Sequence, residues 1–287
     1  MELGRVGIWS FQLWGEREEA VDAAAELDDL GFSTIWFPNG AALFDRSRDL
    51  LESTKRAVVA PGIASIWTHS APTAAAAHHE ITQEHPGRFL LGLGVSHPHL
   101  VDRDDPGRYS KPLTRMREYL DELDEAPTPV PPAERMLAAL GPKMLELSRD
   151  RTCGAHPYLG TPEHTRRSRE ILGPDRNLAV EQGVVLEADP TKARQVARQN
   201  LAMYLQAVNY TNHWLRLGFT GDDFAEGGSD RLVDALVAWG GPDAIRSRVA
   251  EHHDAGADHV CIQVLTESFD EVFPRVEYRA LAEGLGL

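Results

Sequence analysis

The chain has 287 residues, 42% of them hydrophobic and 25% charged, the composition of a globular protein large enough to bury a substantial core. Twenty-nine Lys and Arg against 44 Asp and Glu give a net charge of −15. This argues against nucleic acid or an anionic membrane as a partner, so an anionic ligand needs a local positive site.

No apolar run approaches a membrane span, and the first residues enter a strand-like run without a signal-peptide pattern, so a cytoplasmic location is expected. Cys153 and Cys261 are far apart, each inside a strand-like run, and are expected as two buried thiols rather than a disulfide.

Taken in chain order, short apolar runs alternate with amphipathic stretches. Residues 6–11 read as a first strand, and 16–30 as a helix with Ala20, Ala23, Ala24, Leu27 and Leu30 on one face, stopped by Gly31. Residues 33–37 form a second strand, broken by Pro38-Asn39-Gly40 before a helix over 43–54. A third strand, 57–64, carries Pro61-Gly62, where the missing ladder donor predicts a bulge. The alanine-rich stretch 73–84 is the next helix.

Residues 86–97 then read Pro-Gly-Arg-Phe-Leu-Leu-Gly-Leu-Gly-Val-Ser-His. The run 89–93 is apolar without alternation and too short for a typical helix, so it predicts a strand buried on both faces. Gly92 and Gly94 weaken such a strand, and mark places where a ligand or another backbone comes close. His97 falls at its carboxyl end.

The second half repeats the pattern less cleanly. Residues 102–110 are a polar loop, 112–125 a helix, and the proline-rich stretch 126–132 a stiff connector, taken as a long loop inside one domain rather than a linker. A strand over 135–140 leads through Gly141-Pro142-Lys143 into a helix at 144–149, and a strand at 152–155 leads into His156-Pro157-Tyr158. Thr161-Pro162 caps a helix, 178–186 is a strand, and Asp189-Pro190 caps a helix reaching about 208. Residues 210–228 are irregular and a candidate lid; 232–239 and 243–255 are helical; 259–264 is the last strand.

About eight βα units with right-handed crossovers predict an α/β fold, a (β/α)8 TIM barrel over residues 1–287 as a single domain, with a lid region after strand seven. A doubly wound sheet is the alternative, but Gly92-x-Gly94 is followed by His97 where its fingerprint needs a third glycine. In a parallel barrel, chemistry is done at the carboxyl ends of the strands, where His97 stands.

Other chemistries find no support. His78-His79-Glu80 and His252-His253 are adjacent rather than spaced i, i+4, so no metal site is expected. Neither a Gly-x-Ser-x-Gly elbow nor a Walker loop occurs.

Residues 31–36 (Gly-Phe-Ser-Thr-Ile-Trp), the run 86–94, Gly141-Pro142-Lys143-Met144, and Gly240-Gly241-Pro242-Asp243 leading to Ala255-Gly256-Ala257-Asp258 together resemble the bacterial luciferase-like superfamily over almost the whole chain. The Gly-Ala-His-Pro-Tyr block at 154–158 is most similar to the branch that uses the deazaflavin coenzyme F420 rather than FMN.

The resemblance implies an F420-dependent oxidoreductase that moves a hydride between the deazaflavin and a small organic substrate, an alcohol, ketone or activated alkene, in a homodimer. An FMN-dependent monooxygenase and a non-catalytic flavin-binding protein are the alternatives. A non-prolyl cis peptide behind the ring would fall at Gly62-Ile63. Gly141, Pro142 and Lys143 would serve the cofactor phosphate, through free N–H groups at a helix start plus a lysine charge; the same Gly-Pro pair also simply opens a helix at Gly241-Pro242. Arg166 and Arg167 are further candidates for an anionic tail.

The Asp-His pair that some deazaflavin enzymes carry after strand two is replaced here by Asn39-Gly40. His97 is therefore the first candidate for proton transfer, with His156 and His69 as second choices. A lone histidine is more often structural. Asn39, Ser96 and His156 are candidate cofactor contacts, and Trp9, Phe11, Trp36 and Trp67 candidate walls, although strand aromatics also fill cores.

Overall fold

The computed structural model describes residues 1–103, 105–267 and 272–287. Ten parallel strands are present among them: β1 (Val6–Trp9), β2 (Thr34–Phe37), β3 (Val58–Pro61), β4 (Ala64–Ser65), β5 (Leu91–Gly94), β6 (Arg135–Leu137), β7 (Gly154–Ala155), β8 (Asn177–Val185), β9 (Val237–Trp239) and β10 (His259–Val264). The hydrogen-bonded order is β3-β2-β1-β10-β8-β7-β6-β5-β4.

β3 and β4 are two pieces of one barrel position, so this order is a ring opened at its seam. The Val59 N–H donates to the Arg88 carbonyl (2.8 Å), the Leu90 N–H to the Val59 carbonyl (3.1 Å), and β4 pairs β5 through Ala64↔Leu93. The α/β parallel barrel therefore closes at eight positions.

Alternation along the strands sorts the core into two shells. Val6, Ile8, Ile35, Val59, Leu91, Leu93, Leu137, Val180, Val260 and Ile262 face outward and join the helix faces in one apolar cluster. Trp9, Trp36, Val58, Ala60, Leu90, Met136, Ala179 and Cys261 make a second cluster that fills the barrel.

The glycines of the 86–97 stretch follow from this packing. A Cβ on Gly92 would stand 2.0 Å from the Pro61 carbonyl oxygen, and one on Gly94 2.4 Å from Ile63 Cδ1. Both side chains are absent because the interrupted third position crowds against β5, so the close approach is by the neighbouring strand.

Thr161 and Asp189 cap their helices as expected, their side chains accepting the backbone N–H groups of His164 and of Thr191 and Lys192. Cys261 is buried, Cys153 is half-buried, and both are free thiols.

Several boundaries differ from expectation. The stretch 210–228 is not irregular throughout: Val208–Arg216 is a helix and Gly221–Gly227 a 3-10 turn kinked at Ala225 and Glu226. The helix expected to reach 208 ends at Leu201, followed by the turn Tyr204–Gln206.

Residues 237–239, read as helical, form β9, because Val237 and Trp239 find ladder partners at Gly183 and Val185 after β8 leaves β7. The fifth strand stops at Leu137, and the helix after it spans Pro142–Arg151. Within the polar stretch 102–110, residue 104 lies outside the described residues; a one-turn helix, Pro98–Val101, precedes it.

Candidate functional site

The carboxyl ends of the strands converge on Gly62, whose peptide with Ile63 is cis, as the resemblance implied. A Cβ on Gly62 would stand 2.7 Å from Trp9 Nε1 and 3.2 Å from His156 Nε2. Only glycine fits where Trp9 and His156 close over the bulge, and both of these polar atoms are buried with no hydrogen-bond partner among the described residues.

His156 donates from Nδ1 to the Ala179 carbonyl (2.9 Å), which leaves Nε2 as a bare acceptor. Its ring stacks on Trp36 at 4.2 Å and 7°. Trp36 in turn donates from Nε1 to His259 Nε2 at 3.3 Å. Burial pushes the His156 pKa down to about 4, so the imidazole is neutral. One bare N–H donor and one bare acceptor side by side match a ligand edge that offers the complementary pair.

An aromatic row leads from Trp9 to the rim. Trp9 contacts Phe11 at 4.6 Å and Tyr158 at 5.4 Å between ring centroids; Tyr158 meets Tyr210 at 6.3 Å, and Tyr210 meets His97 at 5.5 Å. His97 Nδ1 lies 3.2 Å from Asn209 Oδ1, joining the exit of β5 to the helix Val208–Arg216. Burial lowers the His97 pKa; the bond to Asn209 opposes this only in part, and the ring is neutral near pH 7.

Ser96 precedes it with φ 55°, a left-handed conformation that is uncommon for a residue other than glycine. Asn39 accepts the Ser65 N–H at 3.0 Å and so ties the exit of β2 to β4, while Trp67 donates to the Val95 carbonyl at 2.7 Å. His69 lies off the row, packed edge-on against Phe44.

At the other end of the same helix, Arg216 Nη2 comes within 3.9 Å of where a Cβ on Gly141 would be. Gly141 is the N-cap of the helix Pro142–Arg151, with no side-chain cap, and Lys143 follows in its first turn. Neither the Lys143 ammonium nor the Arg216 guanidinium pairs with a carboxylate among the described residues. In a chain of net charge −15, two cations without a carboxylate partner among the described residues stand beside a helix N-terminus, the kind of place where an anion can bind. Arg166 and Arg167, by contrast, both pair with Glu163.

Sequence reasoning missed Glu181. It lies on β8 between Ala179 and Gly183, on the inward face, and is 1% exposed. Oε2 accepts the Leu159 N–H at 2.9 Å, whereas Oε1 is buried without a partner. Burial without a cation pushes its pKa up to about 8, so the carboxyl is largely protonated at neutral pH.

Tyr158 and Tyr204 complete this side: Tyr158 donates to Gln263 Oε1 at 2.8 Å, and the two hydroxyls are 3.1 Å apart. The signal available in sequence was a single acid inside an otherwise apolar run.

The predicted residues thus fall into two groups. Gly62, His156, His97, Trp9, Phe11 and Trp36 share the barrel mouth, with Asn39, Ser96 and Trp67 around its rim; Gly141, Pro142 and Lys143 lie at the anion end, and Val208–Arg216 touches both. Among the described residues no cluster of His, Cys, Asp and Glu could hold a metal ion, and no helix is long and apolar enough to cross a membrane.

This arrangement has relatives. The Mycobacterium tuberculosis (strain ATCC 25618 / H37Rv) protein named "Putative coenzyme F420-dependent oxidoreductase Rv3520c" is 26% identical, over 89% of this chain and 93% of that one. Among solved structures, an F420-dependent secondary alcohol dehydrogenase in complex with an F420-acetone adduct superposes with a TM-score of 0.75 at 12% identity, covering 99% of both chains.

The coenzyme F420-dependent tetrahydromethanopterin reductase of Methanopyrus kandleri gives 0.74 at 16% identity, covering 99% of this chain and 98% of that one. The FMN-bound oxygenating constituent of 3,6-diketocamphane monooxygenase from Pseudomonas putida gives 0.71 at 13% identity, covering 98% and 96%. These superpositions share the barrel, and residues 12–259 match the sequence pattern of one family that such barrels house: the chain belongs to the luciferase-like monooxygenase family.

Proposed function

We propose that the protein is a coenzyme F420-dependent oxidoreductase acting on a small organic substrate, an alcohol, ketone or activated alkene. The observation that carries this reading is the pair of unpartnered polar atoms, Trp9 Nε1 and His156 Nε2, that meet over Gly62. Those two atoms, with Gly62 and Ile63, would hold the ring edge. Gly141, Pro142, Lys143 and Arg216 would hold the phosphate, and Asn39 and Ser96 would border the ring.

When bound, the deazaflavin supplies hydride transfer without the ready oxygen reactivity of FMN. The chain's own residues do the rest. The aromatic row from Trp9 to His97 excludes water and orients the substrate over Gly62. His97, neutral and with Nε2 unbonded, accepts a hydrogen bond from a substrate hydroxyl.

The name of the mycobacterial relative supports the deazaflavin over FMN. Parallel fluorescence titrations of the purified protein with oxidised F420 and with FMN test the choice. Tight binding of F420 alone is expected. Preference for FMN moves the reading to a monooxygenase, and bound F420 without any substrate-dependent absorbance change moves it to a flavin-binding protein.

A further inference from the structure

Hydride addition to a carbonyl needs a proton on the oxygen, and His97 begins without one to give. We propose that Glu181, the inward-facing acid of β8 whose Oε1 has no partner, is the proton donor of this site in reduction of the substrate. The inference rests on the cofactor reading above.

Two observations carry it. Glu181 Oε1 is buried and unpartnered, so its O–H has no acceptor among the described residues and is left for a group in the mouth. The groups that face Glu181 are Tyr158, Tyr204 and Tyr210 from the segments over the mouth, Cys261 opposite it on β10, and Tyr278 behind. None is a cation.

The ordinary structural role, accepting the Leu159 N–H, uses Oε2 alone. It holds a left-handed residue, Leu159 at φ 54°, in the turn that presents Tyr158, and an amide oxygen would do this equally well. An ionisable carboxyl exceeds that need. Burial also keeps the proton on Glu181 and off His97, so of the two only Glu181 starts with a proton to give.

The step balances as follows. The hydride that reduced deazaflavin would supply forms the new C–H bond at a carbonyl carbon, or the new O–H bond at one oxygen of a quinone, and the displaced π electron pair moves to the carbonyl oxygen, or to the quinone's other oxygen. The Glu181 O–H bond breaks and its proton goes to that oxygen. Glu181 is left as carboxylate and regains its proton from solvent.

Infrared titration of the apo protein tests the proposal without turnover. The carbonyl stretch of a protonated carboxylic acid should be present at neutral pH, vanish with a midpoint of about 8, and be missing in E181Q. A wild-type protein without that band overturns the proposal, whether or not E181Q folds.

With reduced F420 and menadione, a quinone whose reduction takes one hydride and one proton, E181Q should lose about 100-fold in rate. It should also lose the alkaline limb of the pH profile while binding F420 as wild type does. Unchanged rate and profile in E181Q, or no menadione reduction by wild type, overturns the donor role. Wild-type protein that shows the band but fails to bind F420 overturns the cofactor reading and the redox role with it, which separates the two failures.

Discussion

His97 at the exit of β5 and Asn209 on the helix Val208–Arg216 are joined side chain to side chain, Nδ1 to Oδ1 at 3.2 Å. With Nδ1 as the donor, the lone pair sits on Nε2, and the helix end is pinned over the mouth. H97A should cut turnover about 100-fold and leave F420 affinity nearly unchanged, because Trp9 Nε1 and His156 Nε2 at Gly62 stay in place. Steady-state rates beside a fluorescence titration check this, and unchanged turnover removes His97 from the mechanism.

The crowding between β5 and the broken third position is equally specific. G92A places a methyl group 2.0 Å from the Pro61 carbonyl oxygen, and should cost about 1–3 kcal/mol, with the barrel distorting to make room. G87A meets no atom within 4 Å and has only its φ of 73° against it, so about 1 kcal/mol is expected. Denaturant midpoints of the two variants should fall in that order.

The contrast between these glycines and Glu181 shows what the sequence carried. Gly92, Gly94 and the Pro61-Gly62 interruption stand out because each violates a strand's ordinary preference, so close approach and a bulge were legible locally. Val237–Trp239 was not: an apolar run after a helix continues the helical pattern, and only the departure of β8 from β7 frees ladder partners for it.

Glu181 was hidden for a related reason. Alternation along residues 178–186 places it with Ala179 and Gly183, but which face meets the barrel interior depends on a register with β10 that the strand does not encode. Asn209 and Arg216 were missed because their partners, His97 and Gly141, are more than seventy residues away, beyond any local pattern.

The anion end gives a prediction that separates phosphate from ring. R216E should weaken F420 binding about tenfold or more, since it replaces an unpaired cation beside the Gly141 N-terminus by an anion. The same variant should bind the deazaflavin ring without its phosphate-bearing side chain as wild type does. Titration calorimetry with both ligands, repeated at high salt, measures the difference, which screening should shrink.

Stability should fall on both sides of neutrality, through different groups. His156, His164 and His259 are buried with pKa values pushed down to about 4, and His252 to about 3. For a histidine with a depressed native pKa, the unfolded chain binds the proton first, so stability is lost as pH drops below about 6.5 and continues to fall towards the native values.

Glu181 works in the opposite sense. Its native pKa, about 8, lies above the ordinary 4.5, so the folded state holds the proton more tightly and stability is lost as pH rises from 4.5 through 8. The slope from one such group is at most about 1.4 kcal/mol per pH unit. E181Q carries no charge to bury and keeps an acceptor for Leu159, so it should unfold at a higher temperature than wild type above pH 8. The advantage should shrink as pH falls and vanish only below about 4.5, where the carboxyl is neutral in the unfolded chain as well. Thermal unfolding of both proteins across that range decides it, and parallel curves would mean that Glu181 is ionised in the native barrel.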